Sequence, residues 1–91
     1  MNPDLGNLIL AFLAARCPAA YTSNAICNRL NASGMMDTRA SEDETNEALE
    51  ILLKNDFVES AVEPAGTRIY WNATGAGVQA WHASGRPNVG R

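Results

Sequence analysis

The feature that most constrains this chain is a change of hydrophobic period near its middle. Between Ser41 and Lys54 the apolar residues Ala48, Leu49, Leu52 and Leu53 recur at the spacing of one buried helical stripe. From Phe57 onward the residues favour strands. Phe57–Val62 and Thr67–Ala73 are rich in Val, Ile, Tyr and Trp, and Glu63-Pro-Ala-Gly66 between them has turn chemistry. A helix therefore runs directly into a hairpin. Its start is marked by Ser41-Glu-Asp-Glu44: the Ser41 hydroxyl should accept from the Glu44 N–H while the Glu44 carboxylate reaches back to the Ser41 N–H. Asn55-Asp56 closes the helix, with Asn55 predicted in the left-handed cap that glycine usually fills.

Three further helices are predicted around this unit. The first runs from Pro3 to Arg16, with Leu5, Leu8, Ile9, Phe12 and Leu13 on one face and Pro18 stopping it. Leu10, Ala11 and Ala14 fall outside that face. They read either as a tolerant alanine-rich surface or as a second buried contact; as surface, they suggest a homodimer through helix one. A second helix starts at Thr22 or Ser23, buries Ile26, Cys27 and Leu30, and ends at Asn31-Ala-Ser-Gly34. Met35 to Ala40 reads as a loop, with Met35 or Met36 tucked beneath it. Thr74 caps a short last helix through about Ala83. The fold class is thus α+β, mainly helical with a small hairpin. Residues 1–84 form the domain and 85–91 a flexible tail. Leu8, Phe12, Ile26, Leu49, Leu52, Val58 and Trp71 are the predicted core.

Ninety-one residues suffice for one core and not for two, and a hydrophobic fraction of 46% is that of a globular chain. The apolar run Leu8–Ala15 lacks a basic flank and is too short to span a bilayer, so a cytoplasmic protein without membrane contact is expected. In that setting Cys17 and Cys27 read as buried free thiols. Enzyme signals are nearly absent. The single histidine, His82, shares no metal-ligand spacing with Cys17 or Cys27, and no phosphate-binding or nucleophile-elbow motif occurs. Neither catalysis nor a cofactor is expected.

The order helix, helix, helix, hairpin resembles the winged-helix family. Leu49-Glu-Ile-Leu-Leu-Lys-Asn-Asp-Phe-Val58 is similar to that family's passage from third helix into wing. Arg68-Ile-Tyr70, Thr74 and Gly77 resemble its second wing strand and the start of its last helix. The chain departs from the pattern in a longer turn before helix three and in Asp56 where glycine is common. Thr74-Gly-Ala-Gly77, Gly85 and Pro87-Asn-Val-Gly-Arg91 are similar to the C-terminal pattern of small winged-helix proteins of Mu-like prophages. The first resemblance implies a DNA-binding transcriptional regulator, and the second a phage-derived one.

Charge complicates that implication. Of ten acids in the chain, eight fall between Ser41 and Glu63, against the single base Lys54. A helix that enters a DNA groove faces phosphates, which an acidic surface repels. Two readings stay open. Double-stranded DNA would be held by Arg29, Arg39, Arg68, Arg86 and Arg91, with Arg16 near a further face and Asn46 on the third helix facing base edges. Alternatively Glu42, Asp43, Asn46, Glu47 and Glu50 form a docking face for a basic protein partner.

Overall fold

The computed structural model describes residues 5–34, 39–63, 66 and 68–85. Its elements are α1 (Leu5–Ala15), β1 (Tyr21–Thr22), α2 (Ser23–Ser33), α3 (Glu42–Lys54), β2 (Val58–Val62), β3 (Ile69–Ala73) and α4 (Gly75–Ala83). The strands form one antiparallel sheet in the order β1-β3-β2.

α1 is apolar on nearly every side. Leu5, Ile9, Leu10, Ala11, Phe12, Leu13 and Ala14 are all buried, as expected of a helix at the centre of a domain. It contacts α2, α3, α4 and β3. Leu8, predicted in the core, is only half-buried at its edge. Leu10, Ala11 and Ala14 are the second buried contact and not a surface: they retain 8%, 2% and 5% of their exposure within a single chain. The homodimer through helix one thereby loses the exposed face on which it rested. α4 covers that side at close range. A side chain at Gly77 would strike the Phe57 carbonyl oxygen and come within 3.2 Å of Leu10 Cδ1, so only glycine fits.

The helix ends follow local chemistry. Thr22 caps α2 by accepting from the Ala25 N–H at 3.2 Å, and Thr74 caps α4 by accepting from the Gly77 N–H at 3.1 Å. Gly34 closes α2 at φ 72°, in the left-handed region. The closure of α3 differs from expectation. Asn55 has φ −91°, and the left-handed residue is Asp56, at φ 62°. The reason is the hydrogen-bond pattern. Phe57 N–H donates to the Leu52 carbonyl and Asp56 N–H to the Leu53 carbonyl, each at 3.0 Å. That pair of bonds defines a Schellman stop, whose left-handed residue lies one position beyond the cap.

The hairpin is in register from Val58↔Ala73 at its root to Val62↔Ile69 near its tip. The Glu63 N–H donates to the Arg68 carbonyl at 3.0 Å, and the Gly66 N–H to the Glu63 carbonyl at 3.1 Å, as the Glu63–Gly66 turn requires. Residues 64 and 65 between them lie outside the described residues, as do Met35, Met36 and the tail beyond Gly85. Val58, Trp71 and Ala73 anchor the root in the core, whereas Val62 and Ile69 are exposed. β1 was not anticipated. Tyr21 and Thr22 pair with Trp71 and Tyr70, and the Tyr21 ring meets Phe12 edge-on at 5.1 Å. Cys27 is buried, but Cys17, expected to be so, is exposed at the turn after α1; both are free thiols.

Two stability changes follow. Leu49 is fully buried between α3 and α1; Leu49→Ala should cost ~2–5 kcal/mol in denaturant unfolding because it leaves a cavity in a small core. Asp56→Gly should stabilise by up to about 1 kcal/mol, since glycine carries no penalty in the left-handed region and every bond at the stop uses backbone carbonyls. A loss of stability on that change would mean that the Asp56 side chain holds the stop.

Candidate functional site

The start of α3 is fixed by side-chain bonds from α2 and from its own first turn. The Asn31 amide holds residue 40 by both backbone groups: its Oδ1 accepts from the Ala40 N–H at 2.9 Å and its Nδ2 donates to the Ala40 carbonyl at 3.0 Å. The Cys27 thiol donates to the same carbonyl at 3.4 Å. One residue later the capping box closes as expected. Glu44 N–H donates to Ser41 Oγ at 3.1 Å, and Ser41 N–H donates to Glu44 Oε1 at 3.0 Å. Thr45, completely buried, returns its hydroxyl to the Ser41 carbonyl at 3.0 Å. The Ser41 N–H bond holds the Glu44 carboxyl below the ordinary glutamate range. Asn24 Nδ2 donates to Glu42 Oε1 at 3.5 Å, tying the first turns of α2 and α3 together.

An open cleft of about 600 Å³ lies between α3 and the hairpin. Trp71 and Ile69 present the inner face of β3, Thr22, Ser23 and Asn24 supply the start of α2, and Arg68 stands at the hairpin end. From α3 come Glu42, Asn46 and Glu50, four residues apart and hence on one flank. Of the described residues expected to contact nucleic acid, Asn46 and Arg68 line this cleft, with two carboxylates. Arg39 is exposed just before the α3 cap. Arg29 is also exposed, but it lies five residues from Asn24 and two from Asn31, the α2 positions bonded toward α3; helical phase puts it on the far flank. Arg86 and Arg91 lie outside the described residues. Arg16 is engaged at the end of α1, where its Nη1 donates to the Phe12 carbonyl at 3.0 Å and its guanidinium lies 4.1 Å from the Phe12 ring centre. Glu42, Asp43, Glu47 and Glu50 are all exposed, so the acidic ridge is real surface.

Sequence reasoning missed Asn31, the residue that sets where α3 begins. An asparagine near a helix end has many local uses, and nothing in its spacing marks a bond to residue 40. His82 is exposed with its ring edge-on to Trp81 at 5.4 Å. Among the described residues no His, Cys, Asp and Glu side chains gather in a group of three that could hold a metal ion. Among them too, no helix is long and apolar enough to cross a membrane.

The capping box makes a pH prediction. A carboxyl whose folded-state pKa is lowered adds stability above its unfolded value and loses it as pH falls through the folded value. The unfolding temperature should therefore drop on acidification below about pH 4. Glu44→Gln keeps the cap bond but cannot titrate, so it should flatten part of that drop. Superimposable pH profiles for the two proteins would exclude the effect.

No family model and no curated protein matches the chain. Among solved structures it is similar to two of a doubly substituted Lactococcus lactis ZitR, one of them in apo form, at 20% identity in each. The TM-scores are 0.68 and 0.66; the matches cover 91% and 89% of this chain but 57% and 50% of those chains. The chain thus spans about half the length of these neighbours. Neither neighbour supports the narrower resemblance to Mu-like prophage proteins. At this identity the likeness speaks to fold, and the four helices with their three-stranded antiparallel sheet match a winged-helix neighbour.

Proposed function

We propose that this chain is a non-enzymatic winged-helix module that binds double-stranded DNA in transcription regulation, with β2 and β3 as its wing. The observation that carries the reading is the cleft between α3 and the hairpin, in a fold whose third helix ordinarily faces a DNA groove. Asn46 in the cleft wall has the donor and acceptor to read a base edge. Arg68 at the wing and Arg39 before α3 supply phosphate contacts on either side. Arg86 and Arg91 extend that cationic set along the chain, and Arg29 contacts backbone only if the duplex wraps around α2. Such a partner implies a cytoplasmic setting. The exposed carboxylates of α3 oppose phosphate, so affinity for random sequence is weak and strongly salt-dependent.

One observation favours a second reading. Glu42, Asp43, Glu47 and Glu50 are exposed along α3, together with the half-buried Asn46. A ridge of this kind suits a basic protein partner, where such charges mainly set association rate.

Titration of a labelled random duplex at about 50 and about 200 mM salt tests the first reading. Arg68→Ala should weaken binding across sequences and lower the salt slope by about one unit. Glu50→Lys, in the cleft wall, should strengthen it, because attraction replaces repulsion near the duplex. Absence of binding at the lower salt, or an unchanged slope in Arg68→Ala, would leave the protein-docking reading in its place.

A further inference from the structure

The two flanks of α3 are chemically different. Opposite the cleft, between α3 and the start of α1, lies an open groove of about 420 Å³. Its lining is mainly apolar, with Leu5 from α1, Ala48, Ile51 and Leu52 from α3, and Phe57 just beyond it; Asn7 and Asn55 add amide groups at its edge. Leu52 and Phe57 are the two residues joined across the Schellman stop, so the base of the groove is fixed by backbone hydrogen bonds. Ile51 projects with 60% of its surface exposed, which a core stripe does not explain. Glu44 and Glu47 stand on the same wall, one helical turn from Ala48 and Ile51.

From this juxtaposition we infer that the groove is a docking site for a basic amphipathic helix of a partner protein. The apolar face of that helix covers Ile51 and fills the space above Leu52 and Phe57. Its Lys or Arg side chains, a turn away from the apolar residues, meet Glu44 and Glu47. Glu44 can take part without losing its cap, because the Ser41 N–H bond occupies only one carboxylate oxygen. Charge selects this occupant. A neutral apolar segment gains the hydrophobic contact but leaves the two negative charges without a counter-charge, and an acidic one is repelled, whereas a basic helix neutralises both. The inference is independent of the DNA reading, which uses the other flank of α3. It is narrower than the basic-partner reading, which spreads contact along the exposed ridge from Glu42 to Glu50.

The test uses the full chain and a fluorescein-labelled Leu/Lys peptide of about 18 residues, with leucines at helical spacing along one face. A Leu/Glu peptide with the same leucine positions is the control. Fluorescence anisotropy should show saturable binding of the Leu/Lys peptide alone. Ile51→Asp should weaken it about tenfold. Glu47→Lys should weaken it and flatten its salt dependence, while Glu42→Lys, the same charge change five residues away on the cleft flank, should stay within about twofold. Arg68→Ala should leave peptide binding unchanged, which separates this result from that of the DNA titration. All these positions are exposed, and matching unfolding temperatures would show that each variant folds. Equal losses in Glu47→Lys and Glu42→Lys would overturn the inference in favour of diffuse attraction along the ridge. An unaffected Ile51→Asp would also overturn it. So would self-association in sedimentation that Ile51→Asp abolishes, which would give the groove to a second copy. A gain in peptide affinity on removing residues 1–4 would give it to the chain's own N-terminus.

Discussion

Burial of α1 on nearly every side is the constraint on which the rest of the structure depends. A helix that is apolar around most of its circumference cannot lie on a surface, and a chain of this length has few elements with which to cover it. α3 covers one side through Leu49 and Leu52, β3 another through Trp71 and Ala73, and α2 a third through Ile26 and Leu30. The remaining side belongs to α4, which reaches Leu10 only because Gly77 has no side chain. The short last helix is thus a necessary part of the core. Without it Leu10 and the alanines beside it would face water.

The parts of this fold legible in the sequence are those specified by neighbours in the chain. The capping box at Ser41, the threonine caps at Thr22 and Thr74, and the Glu63–Gly66 turn depend on residues within a few positions of one another, and the structure realises all of them. What stayed hidden depends on partners far along the chain. β1 is two residues long and has no period to detect; it exists because the edge of β3 lies beside it. Whether Leu10 was surface or buried contact stayed open because the helix that covers it begins sixty-five residues later. The left-handed stop fell at Asp56 and not Asn55, since identity favours Asn while the geometry of two backbone bonds selects the position. Thr45 passes for a polar surface residue until its hydroxyl is seen to close on the Ser41 carbonyl.

The candidate site was legible as a list and not as a place. Six residues were named for nucleic acid, and the fold gathers Asn46 and Arg68 of them into one cleft while turning Arg29 away. The acidic face proved to be two surfaces. Glu42 and Glu50 look toward the hairpin, whereas Glu44 and Glu47 border apolar side chains of α1 and the α3 exit. Counting charge along the sequence merges these surfaces, because residues adjacent in the chain stand on different sides of a helix. Helical phase separates them only once the buried side of α3 is known.

The hairpin is fastened at its root and, along β3, by β1 as far as Tyr70. At its root, Thr74 donates its hydroxyl to the Asp56 carbonyl at 2.6 Å and its N–H to the Phe57 carbonyl at 3.0 Å, while Val58 and Ala73 are sunk in the core. Toward its tip Val62 and Ile69 pair with each other one position beyond the end of β1 and are open to water. Mechanically this is a short overhang, clamped where α3 ends and α4 begins and held again where β1 meets Tyr70. Arg68 lies next to Ile69 on that overhang and is exposed. The overhang therefore holds a cation at the mouth of the cleft, in the same lining as Glu42 and Glu50, without giving it a part in the packing around α1.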